Sequence, residues 1–321
     1  MSDEQLREAL KHPLLCTDFP YLGTRYQGKV RDSYVTPDGV RIMITTDRLS
    51  AFDRVLCTIP FKGQVLHSMT AFWMYLLRHI IPNHMVNVPD PNVVIASQCE
   101  PLQVEFVVRG YLTGSTSTSI WTAYARGDET FCGHLLPNGM RKHGRLNKPI
   151  VTPSTKAKTG AHDVSLSGEE LIQRGLISGS DFGYLENRAL ALYAAGVEHC
   201  AQRGLILVDT KYEFGRTPDG ELLLIDEVHT PDSSRFWETV DYEARFAAGE
   251  DPRALDKEYA RMWLTKECGF KGDGPIPEIP DEVRMETARR YIAAYERIVG
   301  APFIPETSEP LARIKANLAS A

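Results

Sequence analysis

One segment of this chain constrains its fold more than any other, because two short apolar stretches are joined there by a turn. The first stretch runs over residues 205–214 and the second over residues 221–228. Between them, residues 217–220 have the sequence TPDG, in which proline presets φ for a turn and glycine accepts a left-handed backbone. Apolar runs that flank such a turn are typical of a β-hairpin. We therefore expect a hairpin over these residues.

The charges of this hairpin are concentrated where its strands leave the apolar runs. Alternate side chains of a strand share a face, so Asp209, Lys211 and Glu213 lie on one face of the first strand. The second strand ends in another pair of carboxylates, Asp226 and Glu227. Carboxylates that a hairpin brings together repel one another unless positive charge lies between them. The pattern fits a divalent metal site, and its alternative is a lysine–carboxylate network on a solvated sheet face.

The register of the hairpin decides which of these carboxylates meet. A two-residue turn at Asp219 and Gly220 places Glu213 opposite Asp226, whereas a three-residue loop that starts at Pro218 moves Asp226 to the other face. The sequence leaves both registers open. In the first register the pair suits Mg²⁺, which takes one or two carboxylates and completes its shell with phosphate oxygens and water.

A second candidate site begins at Gly28. Alternation over the residues that follow places Lys29, Arg31 and Ser33 on one face of a strand. Two cations and a hydroxyl beside a glycine can bind phosphates, and the alternative is an exposed basic strand face. Neither G-x-x-x-x-G-K-[ST] nor G-x-G-x-x-G occurs in the chain, so the two common nucleotide-binding loops are not predicted.

An arginine at the end of a strand marks a third candidate. Residues 105–115 are typical of a strand that runs into a loop of Gly, Thr and Ser, with Arg109 at the boundary. Its planar guanidinium can bind a carboxylate or a phosphate, and Ser115 with nearby backbone N–H groups can complete an anion site. The alternative is an ion pair between Arg109 and Glu105 across the strand face.

Two serines and an arginine follow the second strand of the hairpin. Ser233, Ser234 and Arg235 can form a phosphate clamp, or they can be a helix cap with a surface arginine. A nucleophilic triad is not predicted, because the chain has no G-x-S-x-G and no cysteine next to a histidine in a known pattern. The candidates thus supply cations for phosphates and carboxylates for a divalent metal.

Length and composition exclude several classes of protein. At about 150 residues per domain, 321 residues correspond to two domains. An apolar fraction of 43% can bury a large core and excludes intrinsic disorder. Lysine and arginine number 36 against 42 acidic residues, a net charge of -6 without basic runs, so we expect no nucleic-acid partner.

Compartment and membrane association can also be predicted. No stretch approaches the ~20 apolar residues of a spanning helix, and the acidic residues 1–4 do not resemble a signal peptide. Six cysteines lie far apart without a C-x-x-C spacing, which argues against a zinc site. We expect a cytoplasmic protein with reduced thiols and no membrane partner.

The remaining periodicity predicts the other elements of the fold. We expect a hairpin over 24–46, an amphipathic helix over 64–81, strands between 85 and 108, a long irregular stretch over 127–160, and helices over 168–174, 186–203, 238–248, 256–268 and 281–299. The last helix is expected to be capped by Asp281 and to end at Gly300.

Taken together, these motifs resemble the SAICAR synthetase (phosphoribosylaminoimidazole-succinocarboxamide synthase) family over about residues 20–300. The matching segments are GKVRD at 28–32, SAFD at 50–53, EFVVRGYLTGS at 105–115, TPSTKAKTGAHD at 152–163, LVDTKYEFG at 207–215 and IDEVHTPDSSRFW at 225–237. D-x-K-x-E-F-G and R-x-x-x-T-G-S are highly specific when both occur. One departure is Gln103, where the family usually has proline, and it bears only on the local path of that strand.

The resemblance implies a ligase that uses ATP and Mg²⁺ to join the carboxylate of carboxyaminoimidazole ribotide to the amine of L-aspartate in de novo purine biosynthesis. An acyl phosphate is the implied intermediate, so catalysis depends on positioning and charge neutralisation rather than on a protein nucleophile. The implied fold is α+β and two-lobed. A β-rich, nucleotide-binding N-terminal lobe (1–110), similar to kinases and ATP-grasp enzymes, packs on a larger mixed C-terminal lobe (111–321), with the active site in the cleft.

The resemblance also implies roles for individual residues. Those implied for the nucleotide are Gly28, Lys29, Arg31, Ser33, His162 and Asp163, with adenine near residues 98–102. Those implied for Mg²⁺ are Glu213 and Asp226. Those implied for the ribotide are Arg109, Ser115, Lys211, Ser234 and Arg235, and among them Lys211 and Arg109 are expected to be catalytic. The partners are then small molecules, and the oligomeric state stays open.

Two other functions remain open on the sequence. An ATP-grasp-like ligase for another carboxylate and amine would share the phosphate and metal parts but would need no ribotide-phosphate clamp, so Arg235 distinguishes it. A nucleotide sensor that binds ATP without turnover is the second, and the pair Glu213 and Asp226 argues against it.

Overall fold

The computed structural model describes residues 1–116, 119–156 and 163–321, and it has a mixed α/β architecture with several sheets. The strands are β1 (Thr24–Gln27), β2 (Arg31–Val35), β3 (Val40–Thr45), β4 (Arg48–Ala51), β5 (Arg54–Thr58), β6 (Met85–Asp90), β7 (Val93–Ser97), β8 (Glu100–Leu112), β9 (Thr130–Phe131), β10 (His134–Leu135), β11 (Gly144–Val151), β12 (Ser154–Thr155), β13 (Leu205–Arg216), β14 (Leu222–Ile225) and β15 (Ser234–Glu238). The helices are α1 (Asp3–Lys11), α2 (Lys62–Leu77), α3 (Ile120–Ala125), α4 (Gly168–Gln173), α5 (Gly179–Ala201), α6 (Tyr242–Ala248), α7 (Glu258–Glu267), α8 (Asp281–Val299) and α9 (Pro310–Ala319).

A five-stranded antiparallel sheet forms the N-terminal part, in the order β1-β2-β3-β7-β6. The predicted hairpin is confirmed in β2 and β3, and its turn ends at Gly39, whose φ of 80° is left-handed as expected. Residues 28–30 lie in the loop before β2. Lys29 therefore does not share a strand with Arg31 and Ser33, although the prediction placed all three on one strand face.

A six-stranded sheet forms the centre of the molecule. Its path is β11-β8-β13-β14, with β12 added beside β8 and β15 added beside β13. The strand β13 is the expected first strand of the C-terminal hairpin, and it pairs antiparallel with β8, β14 and β15 along different parts of its length. This central position brings charged residues of β8 and β15 to the charged face of β13.

The apolar core forces the charged side chains of β13 to that face. Tyr212 and Phe214 of β13 are fully buried and belong to one cluster with Trp73 of α2 and Tyr291 of α8. Burying a large apolar side chain stabilises the fold by about 1.5–3 kcal/mol. Because alternate residues point oppositely, this burial turns Asp209, Lys211 and Glu213, the complementary set, away from the core.

The register of the β13–β14 hairpin is the second of the two that the sequence allowed. Glu213 lies opposite Ile225, and the Thr217 backbone N–H donates to the Glu221 carbonyl at 2.9 Å. Glu213 is therefore not opposite Asp226, and the two-residue turn is wrong. In this loop Gly220 takes a left-handed φ of 90°, whereas Asp219 does not take the positive φ that a two-residue type I′ turn would also require of it.

All six predicted helices are present; α8 has the predicted bounds, and the bounds of the other five differ. The helix expected over 64–81 is α2, the capping box of α4 pairs Ser167 with Glu170, and α8 ends at Gly300 with a φ of 79°. The N-cap of α8 is Pro280 rather than Asp281, which is the first helical residue. No helix within the described residues is both long and apolar enough to cross a bilayer.

The irregular stretch expected over 127–160 contains a strand that the sequence did not reveal. β11 runs beside β8 at the edge of the central sheet. Its buried residues, among them Leu146 and Ile150, are separated by polar ones and by Pro149, which an edge strand tolerates because one side of it needs no ladder hydrogen bond. The polar composition therefore hid a strand whose inner face is apolar.

Candidate functional site

The N-terminal half of the charged face of β13 carries one carboxylate between two arginines. The register places Asp209 beside Arg109 of β8 on one side and Arg235 of β15 on the other. Asp209 Oδ2 accepts from Arg109 Nη1 at 3.3 Å and from Arg235 Nη1 at 2.6 Å. The Thr152 hydroxyl also accepts from Arg109 Nε at 2.8 Å, which helps to orient that guanidinium.

Burial changes the pKa of the two arginines in different directions. It lowers the pKa of Arg109, and the nearby charge of Asp209 does not restore it. Burial also lowers the pKa of Arg235, but there the carboxylates of Asp209 and Glu258 outweigh burial, and the pKa lies above its usual value. Both guanidiniums stay charged at neutral pH, since an arginine does not deprotonate in a protein.

The C-terminal half of the same face carries one carboxylate between two lysines. Glu213 accepts from Lys211 Nζ at 2.7 Å and also from Lys156, and Lys211 Nζ donates a second bond to Glu105 at 2.9 Å. Burial raises the pKa of Glu213, but the two ammonium groups outweigh it and hold the pKa far below its usual range. Burial lowers the pKa of Lys211, but Glu213 and Glu105 outweigh it and raise that pKa well above normal.

These contacts exclude the alternative that the sequence had left open for Arg109. Glu105 pairs with Lys211, and Arg109 pairs with Asp209. The antiparallel register sets Arg109 directly opposite Asp209. It sets Glu105 opposite Glu213, and Lys211, two residues from Glu213 on the same face, reaches Glu105 diagonally.

Arg31 of the N-terminal sheet reaches the end of β14. Its guanidinium contacts Asp226 Oδ1 at 2.8 Å and Glu227 Oε1 at 3.3 Å. Burial lowers the pKa of Arg31, but Asp226, Glu227 and the more distant Glu213 outweigh it and raise the pKa above the usual value. Asp226 has a left-handed φ of 70°, so the chain turns at the end of β14 and the simple alternation of a strand no longer sets the direction of its side chain.

Two adjoining cavities lie along these charges. The first, the Arg31 cavity, has a volume of about 670 Å³ and takes residues from both sheets; the predicted residues that line it are Gly28, Lys29, Arg31, Ser33, Asp163, Lys211, Glu213 and Asp226. The second, the Arg109 cavity, has a volume of about 270 Å³, and the predicted residues that line it are Arg109, Asp163, Lys211 and Arg235. The two cavities share Thr116, Asp163, Lys211, Asp232 and Lys257, so they form one cleft that passes Lys211.

A larger cavity of about 930 Å³ lies on the other side of Arg235. Its lining arginines are paired with carboxylates, for example Arg245 with Glu250 at 3.2 Å and Arg290 with Glu286 at 2.9 Å. We therefore place the candidate site in the cleft along β13, where cations and carboxylates from distant parts of the chain converge, and not in this larger cavity.

Some predicted residues lie outside this cleft. Ser115 lines the cavity of about 930 Å³ beyond Arg235 and donates to Glu258 at 2.6 Å. Ser234 is buried and donates to the Thr210 hydroxyl at 2.7 Å, whereas its neighbour Ser233 lines the Arg109 cavity. His162 falls outside the residues that the structure describes.

Two further predictions concern the edge of the Arg31 cavity. Lys29 is on its wall, exposed, and bound to Asp53 at 2.5 Å. Residues 98–102, which were expected near adenine, are described by the structure but do not line this cavity; Gln98 accepts from Arg41 Nε at 2.8 Å, and Arg41 does line it.

The structure adds lysines that the prediction of the site did not include. Lys156 lies within the stretch over 127–160 that was expected to be irregular, and Lys257, which precedes α7, carried no signal in the sequence. Lys62 of α2 is completely buried and bound to Asp232 at 2.7 Å. A lysine inside an apolar run such as the start of α2 is a weak hint of a buried ion pair.

The two carboxylates predicted for Mg²⁺ fit a metal only under one condition. Both oxygens of Glu213 accept from lysines, and both oxygens of Asp226 accept from Arg31. Within the described residues no three His, Cys, Asp or Glu side chains are grouped as a ready metal site. Mg²⁺ commonly binds to one or two carboxylates and takes its other ligands from phosphate and water. The donor set therefore suits an ion that arrives with a phosphate ligand.

A cleft between two sheets, with paired arginines on one side and carboxylates among lysines on the other, defines a mixed α/β enzyme for anionic small molecules. A family model described as SAICAR synthetase matches residues 24–274. The phosphoribosylaminoimidazole-succinocarboxamide synthase of Legionella pneumophila (strain Lens) is 46% identical over 292 residues, which cover 91% of this chain and 92% of that relative.

Solved structures agree with this match. The SAICAR synthase of Saccharomyces cerevisiae complexed with SAICAR has a TM-score of 0.76 at 28% identity, covering 91% of this chain and 100% of that one. A SAICAR synthetase in complex with ADP has a TM-score of 0.66 at 27% identity, covering 88% of this chain and 100% of that one. The chain belongs to the SAICAR synthetase family. It is a ligase that forms phosphoribosylaminoimidazole-succinocarboxamide in purine biosynthesis.

Proposed function

We propose that the chain joins carboxyaminoimidazole ribotide to L-aspartate at the expense of ATP, through an acyl phosphate, in the cleft along β13. The observation that carries this proposal is the meeting of the Arg31 and Arg109 cavities at Lys211. A two-step transfer needs a nucleotide and an acid held side by side with their charges neutralised, and this cleft offers both places. Relatives that bind ADP and SAICAR support the same pairing of ligands.

The nucleotide lies in the Arg31 cavity. Arg31 and Lys29 neutralise its phosphates, and the Gly28 backbone and the Ser33 hydroxyl lie on the same wall. Asp163 lines the same cavity and contacts the nucleotide there. His162 lies outside the described residues and stays a proposed contact of the nucleotide. The residues near Gln98 remain our proposal for the adenine, now through Arg41 at the edge of the cavity.

Glu213 and Asp226 would hold Mg²⁺ when the nucleotide is bound. The ion would neutralise the phosphate oxygens and withdraw charge from the transferred group. The chain's own cations make room for it: Lys156 releases Glu213, and Lys211 keeps a second carboxylate partner in Glu105. Arg31 stays beside Asp226 and Glu227, since its fork can reach both.

The ribotide lies in the Arg109 cavity. Arg109 and Arg235 bind its carboxylate and its 5′-phosphate, for which planar guanidinium forks are well suited. Asp209 holds the two arginines in place between strands β8 and β15. Ser233 faces the ribotide directly, while Ser234 and Ser115 act from behind the wall of the cavity, through Thr210 and Glu258.

The chemistry then balances without a protein nucleophile. A carboxylate oxygen of the ribotide attacks the γ-phosphorus of ATP, and the bond to the ADP oxygen breaks. The amine of L-aspartate attacks the acyl carbon, phosphate leaves, and the amine loses a proton. Lys211 stands where the transferred group passes and stabilises its negative charge, and Arg109 orients the acid for attack.

The division into lobes and the cellular compartment belong to the same proposal. We propose a nucleotide-binding lobe similar to those of kinases and ATP-grasp enzymes, followed by a substrate lobe. The boundary expected at residue 110 falls inside β8, and because β8 pairs with β13, we place it before Glu100 instead. The described cysteines are all free, which is compatible with the cytoplasm that we propose.

The experiment is a coupled assay for ADP in which the ribotide, L-aspartate and Mg²⁺ are omitted in turn. We expect full ADP release only with all three present. Steady ADP release with another carboxylic acid in place of the ribotide would instead assign the cleft to a different ligase.

A further inference from the structure

We propose that the ammonium group of Lys257 binds a carboxylate of L-aspartate at the junction of the Arg31 and Arg109 cavities. This rests on the function proposed above and adds to it the residue that receives the third substrate. The inference is carried by where this lysine lies and by the charges around it.

Lys257 lies where the amine must arrive. It directly precedes α7, and its backbone N–H donates to the Pro231 carbonyl at 3.3 Å, which fixes it beside the segment that follows β14. It is one of the few residues that line both cavities. The acyl carbon of the intermediate must lie between the ribotide site and the phosphate site, so an amine that attacks it approaches through this junction.

The acidic residues near Lys257 already have other partners. Asp232 accepts from Lys62 at 2.7 Å and from the Tyr291 hydroxyl at 2.6 Å. Glu227 pairs with Arg31 at 3.3 Å and accepts from the Thr230 hydroxyl. Each of these carboxylates is therefore neutralised without Lys257.

A third acidic side chain, Glu258, is also occupied. It pairs with Arg261 and accepts from the Ser115 hydroxyl at 2.6 Å. Lys211, the other lysine that both cavities share, forms ion pairs with Glu105 and Glu213. Within the part of the chain that the structure describes, Lys257 Nζ has no hydrogen-bond or ion-pair partner.

An enclosed ammonium without a partner is unfavourable unless a ligand supplies the opposite charge. Burial lowers the pKa of Lys257, and the nearby Asp232 raises it only in part. The nucleotide and the ribotide have guanidiniums of their own in Arg31, Arg109 and Arg235. L-Aspartate carries two carboxylates and is the substrate for which the cleft has no other assigned cation, so it is the ligand that this charge fits.

The test compares Lys257→Met with the parent protein in steady-state assays of ADP release. We expect the KM for L-aspartate to rise about tenfold to a hundredfold, the loss of one charge-assisted hydrogen bond, while the KM values for ATP and ribotide change less than about threefold. Lys257→Arg should recover part of the loss. The control is Lys266→Met, at the exposed end of the same helix α7, which should leave every KM unchanged.

Hydroxylamine separates this inference from the function on which it rests. It is an amine without carboxylates, so it can trap the acyl phosphate without using Lys257, and Lys257→Met should keep its hydroxylamine-dependent ADP release. An unchanged KM for L-aspartate, or a rise in the KM for ATP or ribotide instead, would overturn the role of Lys257 and leave the ligase function standing. If the parent itself released no ADP with ribotide and either amine, the proposed function would fail first.

Discussion

Asp209 and Glu213 are four residues apart on the same face of β13, yet their surroundings differ in kind. Asp209 is held by two arginines from the neighbouring strands β8 and β15. Glu213 is held by Lys211 of its own strand and by Lys156 of a loop segment. Arginine offers a rigid planar fork with several donors, whereas lysine is a point charge on a flexible stem.

The difference suggests a division of labour along a single strand. Asp209 and its arginines can stay together while the outward N–H groups of the guanidiniums bind the ribotide. Glu213 instead has partners that can be exchanged, so it is suited to binding a metal that comes and goes with the nucleotide. We therefore propose that a fixed substrate clamp lies beside an exchangeable metal site, and separate variants test each half.

The largest effect is expected at Glu213, the residue of the proposed metal site whose partners can be exchanged. Glu213→Gln should reduce turnover at least about a hundredfold at saturating Mg²⁺, because an amide cannot supply the charge that holds the ion near the phosphates. The fold should survive, since Lys211 keeps Glu105. Turnover and the melting temperature are measured together, with the exposed Glu221→Gln in the same hairpin as the control. Near-normal turnover of the variant would remove Glu213 from the metal site.

Arg235→Ala should weaken the binding of the ribotide by the clamp that Arg235 forms with Arg109. We expect the KM for the ribotide to rise about tenfold to a hundredfold with little change in the KM for ATP, since one charged hydrogen-bond donor is lost. Arg235→Lys keeps the charge without the fork and should fall between the two. Arg253→Ala, an exposed arginine that pairs with Asp241, is the control. Equal effects on ATP and ribotide would show that the two halves are not separate.

Lowering the pH should reduce the stability of the fold through His84, which lies near Arg31. Burial lowers the pKa of His84 from its usual 6.5 to about 3, and the positive charges of Arg31 and Arg41 make smaller contributions in the same direction. The unfolded chain therefore takes up a proton before the folded one does, and stability that is present above pH 6.5 is lost as the pH falls toward 3. Between pH 7 and pH 5 this should cost about 1 to 2 kcal/mol in the free energy of unfolding.

Urea unfolding at the two pH values measures this cost. His84→Gln cannot take up the proton, so its stability should depend less on pH than that of the parent, whereas the exposed His79→Gln should behave like the parent. If His84→Gln loses as much stability on acidification as the parent does, other groups account for the slope.

The smallest effect is expected at Lys29, on the rim of the Arg31 cavity. Its side chain is 54% exposed in a pair with Asp53, so Lys29→Ala should change stability by less than about 0.5 kcal/mol. The KM for ATP should still rise about threefold to tenfold if Lys29 contacts a phosphate. Lys11→Ala, which removes a pair with Glu8 that is slightly more exposed, is the control. Identical KM values for the two variants would exclude Lys29 from the nucleotide site.

Local patterns predicted the parts of the site that depend on one strand at a time. The grouping of Asp209, Lys211 and Glu213 is confirmed, because alternation follows from the geometry of an extended backbone. The partners of these residues were not predictable in the same way. Arg109 meets Asp209 rather than Glu105 because β8 lies antiparallel to β13 in a register that no local pattern encodes.

Asp226 lines the Arg31 cavity although the register of its hairpin is not the one expected to place it there. The register that the structure adopts is the one that was expected to separate Asp226 from the charged face. Its left-handed backbone nevertheless leaves it on the wall of the same cavity as Glu213. A single residue at positive φ is a tertiary feature, since an aspartate tolerates it but does not require it.

The order of polar and apolar residues along the chain by itself determined the hairpin, the shared face of its charges and the resemblance that led to the family. Only the tertiary structure decided which cations meet which carboxylates, and it alone brought Lys156 and Lys257 to a cleft whose other walls come from strands far away in the chain. The physical reason is range: side-chain alternation is set by neighbouring peptide units, whereas an ion pair depends on strand register and loop path, which the burial of the whole core selects.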